Sequence, residues 1–172
     1  GELERLVAFQ VGAAAGIAAL AGQRLSHVKT HGALYNLSVE DASVARAIAR
    51  GVRAIDPDLR LLVLAASPAI AATEAEGIRP VAEIFADRAY LPNGRLMPRD
   101  RPEAVLHDPA RITTRVLEML ERGAILAGDG SRLPARMDSI CLHGDTPGAV
   151  EMARTLRQAL CPAGLTVSPP WP

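Results

Sequence analysis

The sequence predicts an α/β fold, because stretches with the helical period alternate with short apolar stretches that suit buried strands. In residues 2–22 the apolar side chains recur at spacings of three and four, as on one face of a helix. Residues 59–66, LRLLVLAA, are continuously apolar, which is typical of a strand covered on both faces of a parallel sheet. Because parallel strands need helical crossovers, this pattern favours either an open doubly wound sheet or a (β/α) barrel.

The first part of the chain alternates predicted helices with predicted strands. Gly22 ends the first helix, and Ser38 is the predicted N-cap of the second, with Asp41 three residues later. In order, the predicted elements are a helix at 2–22, a strand at 25–29, a helix at 39–54, a strand at 59–66, a helix at 68–77 and a strand at 81–86.

The remaining part begins with Asn93-Gly94 between apolar residues, which is the strongest short signal for a hairpin turn. Asp108 is the predicted N-cap of the next helix, and Asp129-Gly130 marks another turn. The predicted elements here are a helix at 109–122, a loop at 124–138, a strand at 139–143 and a helix at 147–160.

The composition is that of a globular chain without the excess of positive charge that attracts polyanions. The 172 residues suit one domain over residues 1–172, and 19 basic residues balance 19 acidic ones. The apolar stretch at 11–21 is shorter than the roughly 20 residues that span a bilayer. Because the charges balance, we expect no nucleic-acid or membrane partner. With two cysteines and no Cys-x-x-Cys pair, we expect a cytoplasmic protein.

Polar side chains cluster where three of the predicted strands end. Sites in parallel α/β folds form at these ends, and residues two apart on a strand share a face. A glycine follows the last histidine of two clusters, at Gly32 and Gly144, and lets the backbone turn sharply beside a ligand. The first cluster is His27, Lys29 and His31; the second is Glu83, Asp87 and Arg88; the third is Cys141, His143 and Asp145.

The roles of these side chains have functional and structural alternatives. Lys29 can neutralise a phosphate or carboxylate of a ligand, or pair with a carboxylate of the protein. Asp87 and Asp145 are candidates for a general base or for metal ligands. Asp87 can equally form a structural ion pair with Arg88, and Asp145 can cap the last helix.

Metal and nucleotide signals are weak in this sequence. A divalent metal held by His31, His143 and a carboxylate is a chemical alternative, but no recognised ligand spacing supports it. Neither a Walker loop nor a G-x-G-x-x-G motif occurs. Cys141 lies in an apolar strand, where an inert core thiol is expected rather than a nucleophile.

Three stretches together resemble the signature blocks of the LamB/YcsF family: HVKTHGALYN, ADRAYLPNGRLMPR and DSICLHGDTPGAV. They occur in the order of the family and extend the resemblance over essentially the whole chain. The resemblance implies a partial (β/α) barrel with parallel strands, related to the glycoside hydrolase and deacetylase barrels. It also implies the ATP-dependent opening of 5-oxoproline to L-glutamate by the A subunit of 5-oxoprolinase, with magnesium and with B and C subunits.

The resemblance also extends to individual positions. Thr30 stands where the family usually has proline, and the chain matches the C-terminal two-thirds of a family subunit. We therefore expect this chain alone to be inactive and to associate with further copies of itself. The implied catalytic residues are His31, Asp87, His143 and Asp145, and the implied substrate-binding residues are Lys29, Arg88, Gly32 and Gly144, with none assigned to a metal.

Two other functions remain open for the same residues. The fold relationship allows a metal-dependent hydrolase of the deacetylase type that acts alone. A non-catalytic subunit, whose pocket only binds a ligand, is the third alternative. Measurement of bound metal separates the metal-dependent hydrolase from a 5-oxoprolinase. Activity of pocket variants in the assembled enzyme separates the non-catalytic subunit from a 5-oxoprolinase.

Overall fold

The structure is a computed structural model that describes residues 1–145 and 148–169. Its contacts divide the chain into two compact units, Gly1–Ala82 and Glu83–Pro172. Helices alternate with parallel strands, so the predicted α/β class is confirmed. The expectation of a single domain over residues 1–172 stays a prediction.

The first unit contains most of the predicted alternation of helices and strands. In chain order the elements of this unit are α1 Glu2–Leu20, β1 His27–Lys29, α2 Gly32–Glu40, α3 Ala42–Ile55, β2 Arg60–Leu64, α4 Ala69–Ala75 and β3 Arg79–Phe85. β3 begins in this unit and ends in the second.

The second unit combines two helices with short strands. The helix predicted at 109–122 begins and ends at these residues, and Asp108 Oδ1 accepts from the Ala110 N–H at 3.0 Å. The turn at Asn93-Gly94 is also confirmed, since Asn93 Oδ1 accepts from the Arg95 N–H at 3.1 Å. The remaining elements are α5 Pro109–Arg122, β4 Ala124–Leu126, β5 Arg132–Pro134, β6 Ser139–Cys141 and α6 Ala149–Leu160.

The strands form a four-stranded sheet in the order β1-β2-β3-β6 and a separate pair, β4-β5. β1 and β2 are parallel, with Val28 opposite Leu61. β3 and β6 are also parallel, with Phe85 opposite Cys141. β2 is buried after its first residue, as its continuous apolar sequence predicts for a strand covered on both faces.

The core of the first unit lies where α1 and α3 make their closest approach, at Gly51. A Cβ at this position would lie 2.7 Å from the Glu4 carbonyl oxygen and 2.9 Å from the Val7 Cβ, so only glycine fits. Buried apolar side chains of both helices, of β2 and α4, and of the residues just before β2 and β3 form this core. They are Val7, Val11, Ala45, Ile48, Ala49, Val52, Leu59, Leu61, Val63, Ala69, Ala72 and Ile78.

The predicted helix at 39–54 is wrong in its start, because two helices occupy this region. Ser38 is not an N-cap; it is buried inside α2 and its Oγ donates to the Tyr35 carbonyl at 2.7 Å. Asp41 separates the helices and is the N-cap of α3, accepting from the Ser43 N–H at 2.7 Å. A short carboxylate satisfies the exposed N–H groups of a helix start well, and so the new helix begins after Asp41.

The predicted loop at 124–138 contains the antiparallel pair β4-β5, which the sequence did not reveal. The turn between them lies at Asp129-Gly130, as predicted, and Asp129 Oδ1 accepts from the Ser131 N–H at 3.0 Å. Each strand has three residues, too few to show an alternating pattern. The last helix begins at Ala149 rather than at 147, a position that lies outside the described residues.

The apolar stretch of α1 is mostly exposed, whereas its spacing predicts a buried helix face. Only Val7 and Val11 of α1 are buried. Among the described residues, α1 is the one helix long and apolar enough to cross a membrane by length and composition. These properties are weak evidence for a membrane span, because core helices and signal sequences share them. Its large exposed apolar side chains are Leu6, Phe9, Ile17 and Leu20.

Candidate functional site

Parallel pairing of β3 with β6 places Asp87 beside His143 in the second unit. Phe85 and Cys141 are partners at the ends of these strands, and Asp87 and His143 each follow two residues later. The Ala86 N–H donates to the Cys141 carbonyl at 2.9 Å, which continues the ladder beyond the strands. Both side chains therefore leave the sheet at the same end, as sites in parallel α/β folds do.

Asp87 and His143 form a close hydrogen-bonded pair. His143 Nδ1 lies 2.9 Å from Oδ1 and 2.8 Å from Oδ2 of Asp87. The His143 N–H also donates to Oδ2, at 3.4 Å. Because a carboxylate only accepts, Nδ1 carries a hydrogen, and in the neutral imidazole Nε2 then carries the lone pair.

Burial differs sharply between the two members of the pair. The Asp87 side chain is 1% exposed, whereas the His143 side chain is 23% exposed. The Phe85 ring lies beside the imidazole, with centroids 5.5 Å apart. A buried carboxylate that orients a partly exposed imidazole is the arrangement of a general base with its orienting group.

Two residues that sequence reasoning missed, the buried Tyr90 and the half-buried Arg115, support the end of β3. The Tyr90 hydroxyl accepts from the Phe85 N–H at 2.7 Å, and burial raises the pKa of Tyr90 well above its usual range. The Arg115 guanidinium donates to the Phe85 and Ala86 carbonyls at 3.5 and 3.4 Å. Arg115 had one sequence signal, because it lies three residues after Ile112 on the apolar face of α5.

Arg88 is buried directly after Asp87. Its guanidinium donates to the carbonyls of Ala104 (3.2 Å) and Met97 and so holds the segment that follows the Asn93-Gly94 turn. Burial lowers the pKa of Arg88, and the positive charge of Arg99 adds to this effect. These donors serve the protein main chain, which favours a structural role, and the implied contact with substrate stays a prediction.

Lys29, His31 and Gly32 lie in the first unit, at the end of β1. The Lys29 ammonium lies 5.9 Å from the centroid of the Tyr35 ring, and His31 Nδ1 lies 3.1 Å from the Lys29 carbonyl oxygen. His31 is the N-cap of α2, and Gly32 has φ +61°, a left-handed conformation that favours glycine. The sharp turn predicted from the His-Gly sequence is therefore present.

A groove of about 450 Å³ adjoins these residues. One wall is apolar and comes from α1, while the other carries the polar side chains of the β1 end. Lys29 and His31 are both in the lining, so the first unit offers a cation beside an apolar surface. A small anion with an apolar body suits such a groove.

Gly144 and Asp145 form the exposed turn after His143. A Cβ at Gly144 would meet no atom within 4 Å, so this glycine leaves open space at the turn. Gly148, not Asp145, is the N-cap of α6, so the capping alternative for Asp145 is wrong. The implied roles of Gly144 and Asp145 stay predictions.

The described residues offer little to a metal ion. No group of three or more histidine, cysteine, aspartate or glutamate side chains is placed to hold one within residues 1–145 and 148–169. Cys141 is half-buried in β6 and Cys161 is exposed at the end of α6, and neither forms a disulfide bond. The second carboxylate predicted near the pair, Glu83, is buried within β3 itself.

Comparison with known proteins agrees with the signature blocks. The model of the LamB/YcsF family matches residues 1–171. The chain belongs to the LamB/YcsF family. The family resemblance predicted from the sequence is thus confirmed, over a match that includes the ends of β1, β3 and β6.

Relatives and a solved structure extend this result. The A subunit of 5-oxoprolinase from Nitrobacter hamburgensis is 51% identical and that from Rhodopseudomonas palustris strain BisA53 is 52% identical, each over 98% of this chain. A lactam utilization protein from Thermus thermophilus matches 96% of the chain with a TM-score of 0.86 and 40% identity. The chain spans 66% of the length of each of these LamB/YcsF relatives.

Proposed function

We propose that this chain is part of the A subunit of a 5-oxoprolinase and that His143, oriented by Asp87, is its acid–base group. The Asp87–His143 pair is the observation that carries the proposal. Support also comes from the relatives, which are named as A subunits of 5-oxoprolinase at about 50% identity, and from the structural neighbour named for lactam utilization. B and C subunits are the proposed partners, and the cytoplasm is the proposed location.

The pair suits hydrolysis of a cyclic amide. His143 Nε2 accepts a proton from water as the water oxygen bonds to the lactam carbonyl carbon. The imidazolium that forms is stabilised by the negative charge of Asp87. The same proton then moves to the ring nitrogen as the carbon–nitrogen bond breaks, so one water is added and glutamate is the product.

The cation at the end of β1 suits recognition of the substrate class. 5-Oxoproline carries a carboxylate on a small, partly apolar ring, and Lys29 can neutralise that charge. Lys29 and Gly32 stay predictions as substrate-binding residues. His31 and Asp145 stay predictions as additional catalytic groups.

ATP with magnesium is the energy source that the family resemblance implies. When bound, ATP would activate the lactam amide, which is stabilised by resonance. The chain has no Walker loop, and its described residues hold no cluster of three metal-ligating side chains, so they do not fit a Walker-type nucleotide site or a metal ion held by three such groups. No step of the proposed reaction therefore passes through such a group on this chain.

The first prediction concerns His143 in a complete subunit that is combined with B and C subunits. His143→Ala should lower ATP-dependent release of glutamate from 5-oxoproline by about 100- to 10,000-fold, the usual contribution of a general acid–base group. His107→Ala is the matched control, because His107 is exposed just before α5. Circular dichroism should show both variants folded.

The outcomes of this experiment separate the three functions. A wild-type rate for His143→Ala would refute the acid–base role. A non-catalytic subunit would be favoured if the protein binds 5-oxoproline and glutamate is released at the same rate by the wild type and by both variants. Activity of this chain alone that needs an added divalent metal would favour the deacetylase-like hydrolase.

A further inference from the structure

We infer that Arg115 is a positioning residue for His143, acting through the main chain at the end of β3 and through Asp87. The inference rests on the proposed function and deepens it, because it names a residue on which the acid–base group depends. Arg115 lies on α5 and touches neither substrate nor His143 in the proposed reaction.

The hydrogen bonds of Arg115 converge on the two residues that precede Asp87. Nη1 donates to the carbonyls of Phe85 and Ala86, at 3.5 and 3.4 Å. Nη2 donates to the Leu126 carbonyl in β4, at 3.2 Å. A planar guanidinium presents donors in a fixed fork, so it ties the end of β3 to β4 in one orientation.

Tyr90 holds the same residue, Phe85, through its N–H group. Its hydroxyl accepts from the Phe85 N–H at 2.7 Å, and the Arg115 guanidinium carbon lies 5.3 Å from the centroid of its ring. Phe85 is therefore fixed at both its N–H and its carbonyl by side chains rather than by strands alone. Such an arrangement is expected where the direction of the next side chains matters.

The sheet itself gives Asp87 limited support. The Asp87 carbonyl accepts from the Leu106 N–H at 2.8 Å, but the side chain lies beyond the last paired residues of β3. Its carboxylate must point at His143 Nδ1 to fix the tautomer. A tilt of the Phe85–Ala86 peptides would swing the carboxylate away, and the fork of Arg115 opposes that tilt.

Charge adds to geometry. Burial is the largest cause that lowers the pKa of Arg115; Tyr90 and Asp87 oppose this change, and the positive charge of Arg111 adds to it. The guanidinium and the carboxylate carry opposite charges, so Arg115 acts on Asp87 through charge as well as through the main chain. Replacement by a neutral side chain removes both the fork and this charge, whereas lysine keeps the charge alone.

Nuclear magnetic resonance of the ¹⁵N-labelled chain tests this inference without any activity. A hydrogen-bonded Nδ1–H of His143 should give a downfield proton resonance, identified by its loss in His143→Gln. Arg115→Met should abolish that resonance, and Arg115→Lys should retain it at a shifted position. Arg111→Met is the matched control, since Arg111 is exposed one turn earlier on α5, and it should leave the resonance unchanged.

Kinetics of the complete subunit with B and C subunits provide the second readout. Arg115→Lys should lower kcat by about 10- to 100-fold with KM within about twofold, as expected for a misplaced catalytic group. If Arg115→Met fails to fold by circular dichroism, Arg115→Lys decides both tests. A folded Arg115 variant with the wild-type resonance and kcat would overturn the inference.

The failure of this inference differs from that of the proposed function. Full activity of His143→Ala would reject the acid–base role even if the Nδ1–H resonance depends on Arg115. An unchanged resonance in folded Arg115→Lys and Arg115→Met would reject positioning even if His143 is essential.

Discussion

Glu4, Arg50 and Glu76 connect three helices of the first unit through charged groups. Arg50 Nε lies 2.9 Å from Glu4 Oε2, and Arg50 Nη1 lies 3.1 Å from Glu76 Oε1. The hydrogen bond from Arg50 is the largest cause that lowers the pKa of Glu4 below its ordinary value of 4.5. The interaction is therefore sensitive to acid.

A pH prediction follows from this lowered pKa. Because Glu4 binds its proton less readily in the folded state, its stabilising contribution is present above pH 4.5 and is lost as the pH falls through the folded pKa. Glu4→Gln should remove this contribution and flatten the acid side of the stability profile. Urea unfolding at a series of pH values measures it.

Glu121→Gln is the control for the acid profile, since Glu121 is exposed on α5. It should leave the slope of the wild-type profile in place. Equal slopes for the wild type and Glu4→Gln below pH 4.5 would contradict the role given to the Arg50 contact.

Single residues also show how far sequence reasoning reached the site. The sequence indicates Asp87 because it lies just beyond an apolar strand, and His143 because it lies at period-two spacing from Cys141 at the end of another strand. Their mutual contact depends on β3 lying next to β6, and strand order is set by packing that no local pattern records. Tyr90 and Arg115 were missed because their partners are main-chain groups, which every sequence has.

Helix packing makes a prediction at the scale of elements. Gly51→Ala should destabilise the protein by about 1–3 kcal/mol, because the new Cβ would overlap main-chain and side-chain atoms of α1 and force the helices apart. Gly16→Ala is the matched control, since a Cβ there meets no atom within 4 Å. Alanine should instead stabilise α1 by about 0.5–1 kcal/mol.

Urea unfolding of the two glycine variants checks this pair of expectations. The free energies of unfolding should change in opposite directions. Gly51→Ala with at least wild-type stability would mean that α1 and α3 are not packed as closely as the Glu4 carbonyl contact requires.

Elements were predictable in proportion to the local signals that mark their ends. α5 was placed correctly, because Asp108 caps its start and Gly123, at φ +59°, ends it. The start of α2 was missed, because His31 is its N-cap and histidine gives no capping signal. β4 and β5 were missed because short strands are stabilised by their pairing rather than by their own sequences.

At the scale of the molecule, the exposed apolar side of α1 predicts association between two copies of this chain. Phe9 is 74% exposed and Leu20 is 89% exposed, and Leu6 and Ile17 are exposed on the same helix. A patch of this kind is self-complementary about a twofold axis, because each copy presents the same apolar surface. We therefore expect a dimer formed through α1.

Size-exclusion chromatography with light scattering measures this association. A double variant, Phe9→Glu with Ile17→Glu, should be monomeric at concentrations where the wild type is dimeric. Val150→Glu is the control, because Val150 is an exposed apolar residue of α6 in the other unit. A wild-type chain that stays monomeric at high concentration would show that α1 does not pair with a second copy.

The contact between Asp87 and His143 joins positions 56 residues apart in the chain. Closing a loop of this length carries an entropic penalty that local contacts do not offset, so such pairings are slow to form. α5 and the β4-β5 hairpin lie within the loop and form from nearby residues. We therefore expect the Asp87–His143 pair to be assembled late in folding, so that a chain arrested before that closure carries nearly all its secondary structure and none of the proposed acid–base chemistry.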